Sequence, residues 1–205
     1  EWLKERIITH LPEEEPLVWE EQKASPDKYN NPLGLFTFGD LEDNPPPMPE
    51  LFWRGALLFR GAKILVAGAP KIGKSNFFLA LSIAAAKGDK FLGHKFSKPL
   101  KVLWLQAEIH KSFLKERIKR LTPLLQPAER KLLRPNLVMS GRLRKNFMNN
   151  DHMDEIFQSV KYFQPDLIGI DPIINFSLED ENNNPAISIL LEDRVSALMK
   201  ASDCA

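Results

Sequence analysis

The sequence has a single cysteine, Cys204, among 205 residues. One thiol cannot close an intramolecular disulfide, so a disulfide-stapled scaffold is excluded, and no Cys/His spacing of the zinc-binding kind occurs. Its position next to the last residue suits a reducing compartment and an inert small side chain. Long apolar runs are missing too. None approaches the ~20 residues a helix needs to cross a bilayer, and no charged-then-apolar leader is read at the start. No internal repeat occurs. With 43% hydrophobic and 27% charged residues, the composition is that of a globular protein with one substantial domain, not a disordered chain. A soluble, cytoplasmic protein with no membrane partner is the expectation.

The formal charge of +1 conceals an asymmetry. Residues 1–50 carry 12 acidic and 4 basic side chains, net −8, and residues 51–205 carry 15 acidic and 24 basic, net +9. The acidic part ends in Asn44-Pro45-Pro46-Pro47-Met48-Pro49, a stiff polyproline-II spacer that cannot lie in a helix or a central strand. Residues 1–50 therefore read as an arm or partner-docking segment. Trp2, Leu3, Ile7, Phe36 and Phe38 are candidate anchors against the main domain, residues 51–205.

Gly68-Ala69-Pro70-Lys71-Ile72-Gly73-Lys74-Ser75 is a complete GxxxxGKS phosphate loop, a match expected by chance in about one chain in a hundred. It follows the β-rich run Lys63 to Ala67 and leads into a helix-like segment from Asn76 to Lys87, the strand-then-helix context such a loop requires. The glycines let successive backbone N–H groups turn inward around phosphates, and Gly68 to Ser75 together with Asn76 are the candidate nucleotide-binding residues. Lys74 reaches the β and γ oxygens, and the Ser75 hydroxyl ligates Mg²⁺.

From Phe59 onward short β-branched runs alternate with amphipathic segments, which predicts an α/β domain with a mainly parallel sheet covered on both faces. Strands are expected at Val102 to Leu105, Leu137 to Met139 and Leu167 to Ile170. Helices are expected at 112–121, at 128–133, from a cap at Asp151 to a stop at Pro165, and from Asn184 to Lys200 with Asn184 as N-cap and Pro185 at N1. Gly88 suits a left-handed end to the first helix.

Asp171 ends an apolar strand 97 residues after Lys74. By itself such an aspartate is most often a turn or cap residue. Following a phosphate loop, it is a candidate Walker B carboxylate, since Mg²⁺ prefers oxygen ligands and keeps several waters. Glu108 follows the strand Val102 to Leu105. A carboxylate there can orient and partly deprotonate an attacking water, or can be a solvated strand-end residue.

Together, Gly68 to Ser75, Val102-Leu-Trp-Leu-Gln-Ala-Glu108 and Leu167-Ile-Gly-Ile-Asp-Pro172 resemble the RecA-like ATPase core of the RepA-type plasmid and phage hexameric replicative helicases. The Pro-Lys inside the loop and the acidic, Asn-rich Leu178 to Pro185 are similar to that branch, and the likeness covers about residues 50–205. It implies ATP as nucleotide, Glu108 as the water-activating residue, Asp171 for Mg²⁺, DNA as partner, and a homo-oligomeric ring of six with nucleotide between subunits. In that family the last helix is followed by a strand ending in a polar sensor, and later by an arginine finger. That strand lies between the phosphate-loop and Walker B strands, so its absence leaves a gap of one strand spacing, ~4.8 Å on either side, unless another segment fills it. Starting at Glu1 and stopping at Ala205, the chain reads as a fragment expected to bind ATP weakly or not at all and to turn it over far below the full-length rate. A missing arginine finger alone costs about 10³ to 10⁵ in rate.

Residues 111–145 hold 11 basic side chains against Glu116 and Glu129. They can face DNA phosphates or reach a neighbour's nucleotide, but their positions spread around the helix, as in a solvated face. His110 and His152, near helix starts, read as surface residues. Two other functions fit the motifs: a regulatory ATP-binding module that moves nothing, and a small-molecule kinase. Against the kinase stands the acidic stretch after Asp171, where an Arg-rich lid would be expected.

Overall fold

A computed structural model describes residues 34–53, 58–177 and 188–205, which fall into two units meeting between Pro47 and Met48. In the first unit a short helix, α1 (Phe38–Asp43), starts at Thr37, whose hydroxyl accepts from the Asp40 N–H while the Asp40 carboxylate accepts from the Thr37 N–H. This reciprocal pair satisfies two helix-start donors. Phe36 and Phe38 are 66% and 81% exposed. Trp2, Leu3 and Ile7 lie outside the described residues.

The second unit begins with an antiparallel pair, β1 (Leu51–Trp53) and β2 (Leu58–Phe59). Then follow α2 (Lys74–Lys87), the hairpin β3 (Lys90–Phe91) and β4 (His94–Lys95), β5 (Val102–Gln106), α3 (Lys111–Leu121), α4 (Pro127–Asn136), β6 (Leu137–Met139), α5 (Asn150–Phe163) and β7 (Leu167–Asp171). A π-helical turn, Leu190–Val195, runs into α6 (Ser196–Ser202). The three longer-range strands form a parallel sheet in the order β6-β5-β7, with Trp104 opposite Met139 and Gly169, and Gln106 opposite Asp171. This is the expected α/β architecture, that of a RecA-like P-loop NTPase.

β5 is buried at all five positions because both faces are covered. Leu103 and Leu105 pack with Met153, Ile156 and Val160 of α5 on one face, and Trp104 packs with Leu79 of α2 and Leu114 of α3 on the other. Gly169 on β7 admits the Phe78 ring, which also meets Trp104 edge-on with centroids 5.5 Å apart. A Cβ at Gly169 would stand 1.7 Å from the ring. Gly169→Ala is therefore expected to destabilise the chain by about 3 kcal/mol or more, read as a lower denaturant midpoint. Phe78→Ala in the same chain should recover part of the loss.

At the start of the sheet Arg60 pairs with Glu50 (2.5 Å) and Asp203 (3.4 Å), and Lys98 pairs with Glu50 (2.7 Å) and Asp166 (3.6 Å). Lys98 and then Arg60 hold the Glu50 carboxyl below the ordinary value of 4.5. Its contribution is complete above that value and fades as pH falls through the lower folded-state value. Because Glu50 is 39% exposed, the contribution is at most about 1 kcal/mol. Glu50→Gln should flatten the acid limb of the stability profile by that amount, and salt should shrink the difference.

Several expectations are corrected. The run Lys63 to Ala67 forms no strand. A strand exists through pairing, and among the described residues nothing forms a ladder with this run, so Ile64, Leu65 and Val66 stay 53%, 69% and 46% exposed. Beside β7, Ala205 accepts from the Ile168 N–H (2.8 Å) and donates to the Asp166 carbonyl (3.0 Å), while Cys204 accepts from the Gly61 N–H (3.1 Å). The last two residues thus occupy the start of the lane between β7 and the segment leading to the phosphate loop. α5 is capped by Asn149, whose side chain accepts from the His152 N–H, and not by Asp151, which lies in the first turn. α4 runs on through Pro135 to Asn136, past the expected end. The Asn184 cap and the acidic stretch before it lie outside the described residues. Cys204 is 1% exposed, and burial pushes its thiol above the ordinary value.

Candidate nucleotide site

The site grows from the direction of α2. Near its C-terminal end, Ala85 accepts from the Leu100 N–H, just before β5 begins, while Phe78, about one turn from its start, lies on Trp104 and Gly169. The helix therefore runs antiparallel to the strands, and its N-terminus comes to the edge where β5 and β7 end. Ser75, one turn before Phe78, and Asp171, two residues beyond Gly169, are displaced toward this same edge.

The loop Gly68 to Ser75 leads into α2 through Gly73. Gly73 caps α2 at φ 102, a left-handed conformation costly for any residue with a Cβ. It is what lets the loop turn directly into helix with its N–H groups free to face an anion. The Lys74 ammonium donates to the carbonyls of Gly68 (2.7 Å) and Ala69 (3.0 Å), so it lies across the loop's mouth. Ala69, Pro70, Lys71 and Ile72 are exposed around it, and Lys71 also takes a positive φ of 66. The side chain of Asn76, a residue expected beside the nucleotide, accepts at 3.4 Å from the Arg117 guanidinium of α3. Arg117 thus engages the phosphate-loop helix of its own chain.

Glu108 is exposed two residues beyond β5, and its Oε1 accepts from the Asn175 side-chain amide at 3.3 Å. The loop that carries it is held by Gln106, only 1% exposed. The Gln106 Nε2 donates to the Ile109 carbonyl (2.5 Å) and the Ser140 carbonyl (3.2 Å), and its Oε1 accepts from the Ile109 N–H (2.6 Å). Ser140, just past β6, donates through its hydroxyl to the Gln106 carbonyl and accepts from the Gln106 N–H. On the other side the Ala107 N–H donates to the Asp171 carbonyl at 3.0 Å. A buried amide is tolerated only when so satisfied, and here each bond fixes the turn that presents Glu108.

Gln106, Asn175 and Ser140 were not singled out in the sequence. Gln106 carried a legible signal, as the one polar residue ending an apolar strand, whereas Asn175 is a four-residue offset from Asp171 that only folding makes meaningful. Among the described residues no three His, Cys, Asp or Glu side chains gather as a metal group. A cation at this edge would rely on one hydroxyl, Ser75, one carboxylate, Asp171, and oxygens brought by the nucleotide and water. That sparse, hard-oxygen donor set fits Mg²⁺.

Two comparisons bear on this arrangement. The AAA domain family matches residues 28–205. No curated protein matches the chain. No helix among the described residues is long and apolar enough to cross a membrane.

Proposed function

The chain belongs to the AAA domain family of P-loop ATPases, and on that premise we propose that it binds ATP with Mg²⁺ and hydrolyses it as the motor of a homo-oligomeric ring acting on DNA in plasmid- or phage-type replication. The observation that carries the reading is the convergence on one sheet edge of the α2 N-terminus with Lys74, the end of β7 with Asp171, and the braced loop with Glu108.

In this reading the loop amides from Gly68 to Ser75 and the Lys74 ammonium hold the phosphates. Ser75 and Asp171 would hold Mg²⁺, which when bound would supply charge neutralisation for the nucleotide. Glu108 orients a water and accepts its proton as the water oxygen bonds to the γ-phosphorus and the bond to the ADP oxygen breaks. Asn175 and Gln106 are positioning residues that aim Glu108. A ring of six and a cytoplasmic setting follow the family resemblance.

The test is calorimetry with ATP on the intact gene product, with and without magnesium, followed by product analysis. Magnesium-dependent uptake with release of free phosphate, stimulated by DNA, supports the reading. A phosphorylated metabolite in place of free phosphate would assign the chain to the kinases, and uptake with assembly but no unwinding would make it a regulatory module. Gln106→Leu frees the Glu108 loop without touching the phosphate loop, so kcat should fall by roughly 10²-fold with KM nearly unchanged. A matching loss in both would assign Gln106 to nucleotide binding instead.

A further inference from the structure

The basic residues of 111–145 are not all dispersed. Lys111, Lys115 and Lys119 recur at every fourth position of α3, and all three line one groove between that helix and the end of β6. The groove is open to solvent with a volume of about 390 Å³, and Leu114, Ile118 and Met139 make up its apolar lining. No carboxylate lines it. Lys119 has an ion pair with Glu116 at 3.5 Å, on exposed helix surface, while among the described residues Lys111 and Lys115 have none. Four residues of helix rise about 6 Å, so the ammonium groups form a row of like charges whose mutual repulsion a polyanion would relieve.

We propose that this groove holds a segment of single-stranded nucleic acid, with phosphates along the lysine row and base or sugar faces on the apolar lining. The charge of the wall selects a polyanion, and the apolar lining selects one with unstacked bases to bury, which a duplex does not offer. The spread of the remaining basic positions around α3 stays a solvated surface; only this row is organised. Ser140 closes the groove and is also the residue that bonds both backbone groups of Gln106, so an occupant lies one side chain away from the brace on the Glu108 loop. This link to turnover rests on the ATPase reading given above, whereas binding in the groove does not.

The test uses the full chain and a labelled oligothymidylate, with anisotropy followed over a salt series in the absence of nucleotide. Against the unsubstituted chain, the triple variant Lys111→Ala, Lys115→Ala, Lys119→Ala should bind more weakly at low salt. Its plot of log K against log salt should be shallower by about 2, three lost phosphate contacts at ~0.7 each. These are exposed side chains, so the thermal midpoint should stay within a few degrees, and Lys115→Glu provides a second variant with the same expected direction. An unchanged affinity and slope in both variants would overturn the proposal. So would a variant that keeps oligothymidylate binding but loses self-association, which would assign the groove to an acidic segment of a second copy. If the intact gene product binds oligothymidylate through the row yet never takes up MgATP, the nucleotide reading fails and the groove stands.

Discussion

Replacing Lys74 with alanine is expected to remove most magnesium-dependent ATP uptake and nearly all turnover. The ammonium lies across the mouth of the loop, against the Gly68 and Ala69 carbonyls. A charge-assisted hydrogen bond is worth about 1.5–3 kcal/mol, which predicts uptake weaker by roughly tenfold to a hundredfold. The loss in rate should be larger, about 10²–10³ beyond binding, because charge on the phosphate oxygens shifts during transfer and a pre-placed donor responds most to that change. Calorimetry and phosphate release on the intact gene product read the two effects separately. Unchanged uptake and turnover would remove the basis of the proposed activity.

Glu108→Gln is expected to behave differently. The amide keeps the size of the side chain and can still meet Asn175, but it cannot take a proton, so hydrolysis should fall by about 10²–10⁴ while ATP uptake stays near that of the unsubstituted protein. The variant should accumulate bound, uncleaved ATP. Asn175→Ala offers a contrast: the carboxylate remains, released from its partner at 3.3 Å, and the loss should be smaller. If Glu108→Gln lowered uptake and turnover equally, the residue would be a binding group and the water would need another base.

The parts of this architecture visible in the sequence are those whose signal is local. Val102–Gln106 and Leu167–Asp171 are apolar runs of strand length, and the strands form where the periodicity places them. The helix after the loop closes at Gly88, at φ 70, as its composition indicates. What stayed hidden depends on neighbours far away in the chain. Lys63 to Ala67 has every local property of a strand and still forms none, because strand formation is a property of the pair. Gly169 looks like a weak point in a strand, and its purpose appears only when the Phe78 ring is found where a Cβ would be. Asn149 and Asp151 are equally good caps on composition, and the hydrogen bond from His152 decides between them. At the site, the residue types of Lys74, Ser75, Asp171 and Glu108 could be chosen from the motifs. The bracing by Gln106 and Ser140 could not, since it joins the ends of two strands that are distant in sequence and adjacent in the sheet.

The uncovered run at Ile64, Leu65 and Val66 has a consequence for handling the protein. Its side chains are β-branched or bulky and exposed, and it carries no charge beyond Lys63, which reaches the Leu191 carbonyl and Glu192. Such a stretch is a template onto which another molecule's backbone can dock edge to edge. Concentrated or heated samples should cluster first through this strip, and a lysine introduced at Leu65 would act as a gatekeeper against it.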